Sequence, residues 1–262
     1  MKRTRGLVAA LTILVAPGYA WADNTSSVDA YSMMPGAPAA EATVSNAAPT
    51  TVNRWYVAGW LQPHRSYCVQ TYGGADFDTS TSTGNTNTIL ALYGADATTL
   101  KDNGVNDDIG TEPRGWALSR VCFATGDVEE KVYIRVSAGV PGSSFKVRTQ
   151  LIETTLFSNW FFSGSDYISF TLIRNTTSEA VQYGIRWRNA AGSEVAHDFG
   201  ILPANGSIAL NARAYPGVVT AIAGTVDIVH IGPPDALVAS TTVLSTTTGL
   251  SFDAPFNTRR TY

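Results

Sequence analysis

The feature that most constrains this chain is a side-chain alternation of period two that recurs from about residue 54 to its end. In residues 131–138, Val132, Ile134 and Val136 face one way while Lys131, Tyr133 and Arg135 face the other. In 145–151, Phe145, Val147 and Leu151 alternate with Lys146, Arg148 and Gln150. This is the pattern of half-buried antiparallel strands. No comparable stretch keeps a helical period over three turns. Further strands are predicted at 55–62, 65–72, 88–93 and 116–124, with Gly, Asn, Asp and Pro between them. A second series is predicted at 167–174, 181–189, 194–201, 208–213, 222–231, 237–244 and 250–256. Seven short strands at roughly ten-residue intervals read as a sandwich. The predicted fold is therefore all-β: two tandem antiparallel β-sandwich domains, Ig-like or jelly-roll-like, over 52–152 and 160–262. The bridge at 153–159 opens an apolar run to Gly164. In it Phe157, Trp160, Phe161 and Phe162 are expected to glue the two domains together.

The first residues follow a different rule. Lys2, Arg3 and Arg5 precede an apolar run from Gly6 to Ala16, then Pro17-Gly18 and the small-x-small end Ala20-Trp21-Ala22. This is a secretory signal peptide over 1–22, cut before Asp23. The run is about half the roughly 20 residues of a spanning helix, and no later stretch reads as transmembrane. The mature chain keeps 15 basic residues against 21 acidic ones, a net charge near −6. Such a balance gives no electrostatic footprint for nucleic acid. Residues 23–51, rich in Ala, Ser, Thr and Pro without an apolar period, are expected to be a disordered spacer.

Export makes the two cysteines, Cys68 and Cys122, a disulfide. Cys68 shares strand parity with Ser66 and Gln70, and Cys122 with Arg120. The bond is predicted on a polar sheet face between neighbouring strands, with Cα atoms about 4.4–6.8 Å apart. A hairpin is predicted with Val181, Tyr183, Ile185 and Trp187 inward and Arg188 opposite Glu194. The loop Ala190-Ala191-Gly192 closes it, Gly192 supplying a positive φ. The same register turns Val195, His197 and Phe199 inward.

Candidate chemistry is sparse. The acidic loop Asp102, Asn103, Asn106, Asp107, Asp108 and Glu112, with Asp76 and Asp78 upstream, offers oxygens for Ca²⁺. Asp102, Asn106, Asp107 and Asp108 are the candidate ligands, although the spacing departs from an EF-hand. The competing reading is Asx turns. His64, His197 and His230 sit in different strand contexts, the last two with inward parity, and read as core histidines rather than zinc ligands. No G-x-S-x-G or H-E-x-x-H occurs. Trp55 and Trp60 have opposite parity in one strand, so one of them lies outside the core. Trp116 begins another strand. Aromatics of this kind either pack or stack on sugars.

Two resemblances follow from these residues. Arg54 to Val147 holds Trp60, Tyr67-Cys68-Val69, Leu90-Ala91-Leu92-Tyr93-Gly94-Ala95-Asp96, Asn106-Asp107-Asp108, Ser119-Arg120-Val121-Cys122-Phe123 and Val132-Tyr133-Ile134-Arg135-Val136. It resembles a bacterial pre-peptidase C-terminal domain, which implies a non-catalytic β-sandwich beside a secreted enzyme or surface protein. No peptidase domain is read in the sequence ahead of it, so a protease role is not expected. The second half resembles a C-terminal region of uncharacterised exported bacterial proteins. That likeness rests on Phe170 to Thr177, Ile185 to Gly192, Leu202 to Ser207 and Leu250 to Asp253, and it implies no activity. The expected protein is secreted, periplasmic or extracellular, and not an enzyme. It acts on a protein or polysaccharide surface, with no cofactor unless Ca²⁺. A carbohydrate- or Ca²⁺-binding accessory module is the alternative and a secreted hydrolase the third.

Overall fold

The alternation is realised strand by strand. The computed structural model describes residues 24–74, 76–77, 86–109, 118–218 and 222–259. The leader with its cut before Asp23, and Asp78, Glu112 and Trp116, lie outside the described residues. Residues 31–153 supply β1 (Tyr31–Ser32), β2 (Ala40–Ala47), β3 (Thr50–Val52), β4 (Arg54–Leu61) and β5 (Ser66–Gly73). They continue with β6 (Thr88–Tyr93), β7 (Leu100–Asn106), β8 (Arg120–Ala124), β9 (Glu130–Ala138) and β10 (Ser144–Glu153). These strands form two five-stranded sheets, ordered β1-β4-β9-β6-β7 and β3-β2-β10-β5-β8. Only β1 runs parallel to its neighbour, β4. Val132, Ile134 and Val136 of β9 meet Tyr67, Val69, Val121 and Leu151 of the facing sheet in one core.

Residues 156–258 supply β11 (Leu156–Ser163), β12 (Tyr167–Asn175), β13 (Val181–Asn189), β14 (Glu194–Leu202), β15 (Ser207–Asn211), β16 (Ile222–His230), β17 (Leu237–Ser245) and β18 (Ser251–Thr258). They make a single sheet, β14-β13-β16-β11-β18-β17-β12-β15. It curls over, so that Ile185, Trp187, Val226 and Ile228 pack with Ile173, Leu210 and Leu237 in a second core. The fold is all-β, as the alternation requires, and the second sandwich is one nearly closed sheet. Among the described residues, no strand of β1–β10 pairs with any of β11–β18.

Three sequence expectations need correction. Residues 24–51 are not a disordered spacer: β2 pairs with β10 over six residues, Val44 is fully buried, and Met33 reaches the core. Two apolar anchors and a ladder of backbone hydrogen bonds suffice there, because the facing surface already exists. The bridge is shorter than expected, only Thr154 and Thr155 separating β10 from β11. A register shift between Ser158 and Phe161, together with inward serines, hid this strand from the periodicity. Finally, β14 carries an extra residue: Arg188 faces Glu194 but Trp187 faces Ala196. The predicted closure with Gly192 at φ +83° is present. Beyond it, the bulge reverses the parity. His197 and Phe199 point outward, and Asp198 turns in to accept from the Tyr215 hydroxyl at 2.6 Å.

The two halves meet through polar contacts as much as apolar ones. Thr154 N donates to the Ser66 carbonyl, and Ser66 N donates to Thr155 Oγ1, each at 2.8 Å. Arg65 lies 4.4 Å above the Phe157 ring and 3.6 Å from Asp227, which also accepts from Arg188 Nε at 2.9 Å. Of the aromatics assigned to the bridge, only Phe157 serves this joint. Phe161 is in the second core. Trp160 stacks on Phe162 and Phe252.

Candidate functional site

The disulfide lies where parity placed it. Cys68 and Cys122 are direct neighbours on β5 and β8, while Tyr67, Val69, Val121 and Phe123 fill the core side. Their Cα atoms are 4.0 Å apart, so the placement on one sheet face agrees with the expectation while the spacing falls below the expected span. Cys68 has no exposed surface because the second half covers this face, with its Sγ 3.5 Å from the Gly232 carbonyl oxygen.

The acidic loop is built differently from a cation site. Asp102 and Asn106 belong to β7. Asn106 Oδ1 accepts from Arg120 N at 2.9 Å, and its Nδ2 donates to the Asp108 carbonyl at 2.8 Å. Ser119 Oγ donates to the Asp107 carbonyl at 2.9 Å. These bonds tie β7 to β8. Burial, and then the neighbouring Asp107, raise the Asp108 carboxyl above its usual range. Among the described residues no three His, Cys, Asp or Glu side chains converge on a metal-sized site. The histidines are dispersed: His64 lies 3.7 Å from Asp127, His197 is 2.7 Å from Glu194, and His230 is buried. Among the described residues two carboxylates are buried, Glu153 and Asp227, and both flank Arg65 in the joint between the halves.

The conspicuous site is at Trp60. Pairing of β4 with β9 runs to Ala58 opposite Val132 and resumes at Leu61 opposite Glu130. Gly59 and Trp60 therefore stand against Lys131 alone, a β-bulge. Trp60 takes φ +59°. That left-handed region costs a residue of this bulk about 1–3 kcal/mol. Leu61 returns to the core, 1% exposed, while Trp60 is thrown out to 81% exposure. Opposite parity predicts one of Trp55 and Trp60 in the core, but the bulge leaves both outside it: Trp55 is half-buried on the outer face, 5.3 Å from Tyr93, and Trp60 stands in water.

Trp60 overhangs a groove of about 640 Å³, whose apolar walls include Met33, Met34, Pro35 and Val57 and whose charged rim is Glu129, Glu130 and Lys131. A second groove of about 500 Å³ shares Ser32, Met33 and Met34 and extends toward Tyr31 and Tyr56. Hydrogen bonds hold the rim: Gln62 Nε2 donates to Glu129 at 3.0 Å, and Lys101 Nζ meets Glu130 at 2.6 Å. The β11 aromatics contrast with this arrangement. Trp160 stacks with Phe162 at 6.2 Å and with Phe252 at 4.7 Å, so it packs among other rings. Among the described residues Trp60 has no such ring partner. The bulge and the positive φ could not be read from the sequence.

No protein-family model matches the chain, and no curated protein matches it. The solved structures it matches include a β-glucuronidase from glycoside hydrolase family 2, at TM-score 0.21 and 10% identity, covering 78% of this chain and 24% of that one. Another is a glycosyl hydrolase family 2 member from Bacteroides cellulosilyticus DSM 14838, at TM-score 0.21 and 10% identity, covering 81% and 29%. A third is a β-glucuronidase from Bacteroides uniformis, at TM-score 0.22 and 11% identity, covering 79% and 26%. The chain spans about a quarter of the length of these proteins, and a likeness this loose assigns no activity.

Proposed function

We propose that this chain is an exported, non-catalytic binding protein whose Trp60 groove holds a surface partner outside the cytoplasm. The observation that carries the reading is Trp60 itself, a large apolar ring kept in water on a backbone that disfavours it. Strain of this kind clusters at functional positions. Exposed tryptophan beside thioether side chains is the make-up of an adaptable contact surface. Export is supported by the leader pattern and by the disulfide, which persists in oxidising compartments. No helix among the described residues is long and apolar enough to cross a membrane. Glu153 and Asp227, the buried carboxylates among the described residues, lie beside Arg65 and Arg188 in the joint. The resemblance of residues 54–147 to the pre-peptidase C-terminal module supports the non-catalytic reading.

The test is binding of labelled mature protein, begun at Asp23, to the envelope fraction of the producing cells. Trp60→Ala is expected to weaken binding at least tenfold without shifting the unfolding midpoint. Equal binding by both proteins refutes the assignment. Secreted material whose sequence begins at Met1 refutes the leader.

A further inference from the structure

The outer face of the first sheet carries a second pattern that meets the Trp60 groove. On this face β9 presents Lys131, Tyr133 and Arg135. Arg135 lies opposite Trp55 on β4 and opposite Ala91 on β6. Its guanidinium sits 5.9 Å from the Trp55 ring and 5.4 Å from the Tyr93 ring. Lys131 Nζ sits 4.8 Å from the Tyr133 ring. Both cations rest on aromatic floors, a contact that holds the group in place without neutralising it.

Among the described residues no carboxylate lies within 4 Å of Lys131 or Arg135, whereas Arg65, Lys101, Lys146, Arg186 and Arg188 each have one. Several other arginines, Arg120 and Arg174 among them, share that condition, but Lys131 and Arg135 are the pair on this sheet face. Four residues apart on one strand, the Cα atoms of the two cations stand roughly 13 Å from each other. Lys131 also lines the Trp60 groove, and the half-buried Arg135 continues the same sheet face beyond it. The nearby acids are accounted for in part: Glu130 is paired with Lys101, and Glu129 is held by Gln62.

We propose that this face binds an acidic polysaccharide, one sugar ring lying on Trp60 and carboxylate or sulfate groups meeting Lys131 and Arg135. The proposal rests on the reading of Trp60 as the contact residue and names the partner's chemistry. A pyranose offers a C–H face that fits a single exposed indole, and acidic groups spaced along its chain match cations spaced along a strand. A nucleic acid, with a phosphate at every nucleotide, fits two charges on a chain of net charge near −6 less well. Polyglutamate supplies the charges but not the stacking ring.

The test is equilibrium titration of the full mature chain with polygalacturonate, dextran sulfate, unsulfated dextran, polyglutamate and single-stranded DNA. Polygalacturonate and dextran sulfate are expected to bind and to weaken between about 0.05 and about 0.5 M salt. Lys131→Gln with Arg135→Gln, and separately Trp60→Ala, are expected to lose at least tenfold. Arg135→Lys, which keeps the cation if the larger change disturbs the sheet, is expected to lose less than threefold. Failure of both acidic polysaccharides to bind overturns the proposal. So does equal binding of unsulfated dextran, equal binding of polyglutamate or DNA, or full binding by the double variant. If Trp60→Ala still releases the protein from the envelope fraction in those cases, the binding function stands and only the ligand class falls.

Discussion

Lowering the pH from about 7 to about 4 is expected to remove about 3 kcal/mol of stability through one side chain, His230. It is the last residue of β16, 2% exposed, with no hydrogen-bond partner at Nδ1. Burial pushes its pKa down from 6.5 to about 4, opposed by backbone groups of Thr154 and Gly232. The folded value lies below the unfolded one, so its contribution is complete above the unfolded value. It is lost as the pH falls through the folded value, because the unfolded chain takes a proton that the folded chain refuses. Between the two values the slope is about 1.4 kcal/mol per pH unit. His64 is lowered too, mainly by burial, and adds with the same sign. Glu153 is raised by burial, so its contribution is present at low pH and lost as the pH rises, opposite in sign. The assay is urea unfolding of wild type and His230→Gln across this range. A loss of about 3 kcal/mol moves the midpoint by about 1 M or more. His230→Gln is expected to remove most of that shift. An unchanged slope in the variant would refute the burial argument.

Trp60→Gly relieves the left-handed backbone and is expected to leave stability unchanged or raise it by up to about 1 kcal/mol in urea unfolding, even as binding is lost. Asp227→Ala leaves Arg65 and Arg188 facing each other without their shared acid, and is expected to cost about 3 kcal/mol by the same measurement. Calcium titrated calorimetrically into the mature chain is expected to bind no tighter than about 10⁻⁴ M. Tighter binding that survives Asp107→Ala with Asp108→Ala would place the site elsewhere.

Much of the fold was legible because burial on one face of a strand leaves a local mark. The alternation at 131–138 located β9, and the polar parity of Cys68 and Cys122 located the disulfide on a sheet face. Segments with few apolar residues were missed. In β2, Val44 is the one large anchor, and the strand forms because β10 offers a ready edge. In β11, alternation is broken by a register shift and masked by Ser158 and Ser163, both buried. The acidic residues suggested a cation site, but Asn106 bonds backbone groups that only the meeting of β7 and β8 supplies.

Sequence alone therefore determined the fold class, the cysteine pair with its place on a sheet face, and the hairpin closure at Gly192. The pair follows from two cysteines in a chain read as exported, and the rest from parity or turn chemistry within about ten residues. Tertiary structure decided the bulges, and with them the direction of every side chain beyond. One extra residue in β14 turned His197 and Phe199 to solvent, and one in β4 set Trp60 over its groove. A bulge is placed by the partner strand's register, and that partner lies about 70 residues away for Trp60. The covering of the disulfide by the second half and the joining of Lys131 to the Trp60 groove are likewise contacts between distant segments, and period-two parity carries no information about them.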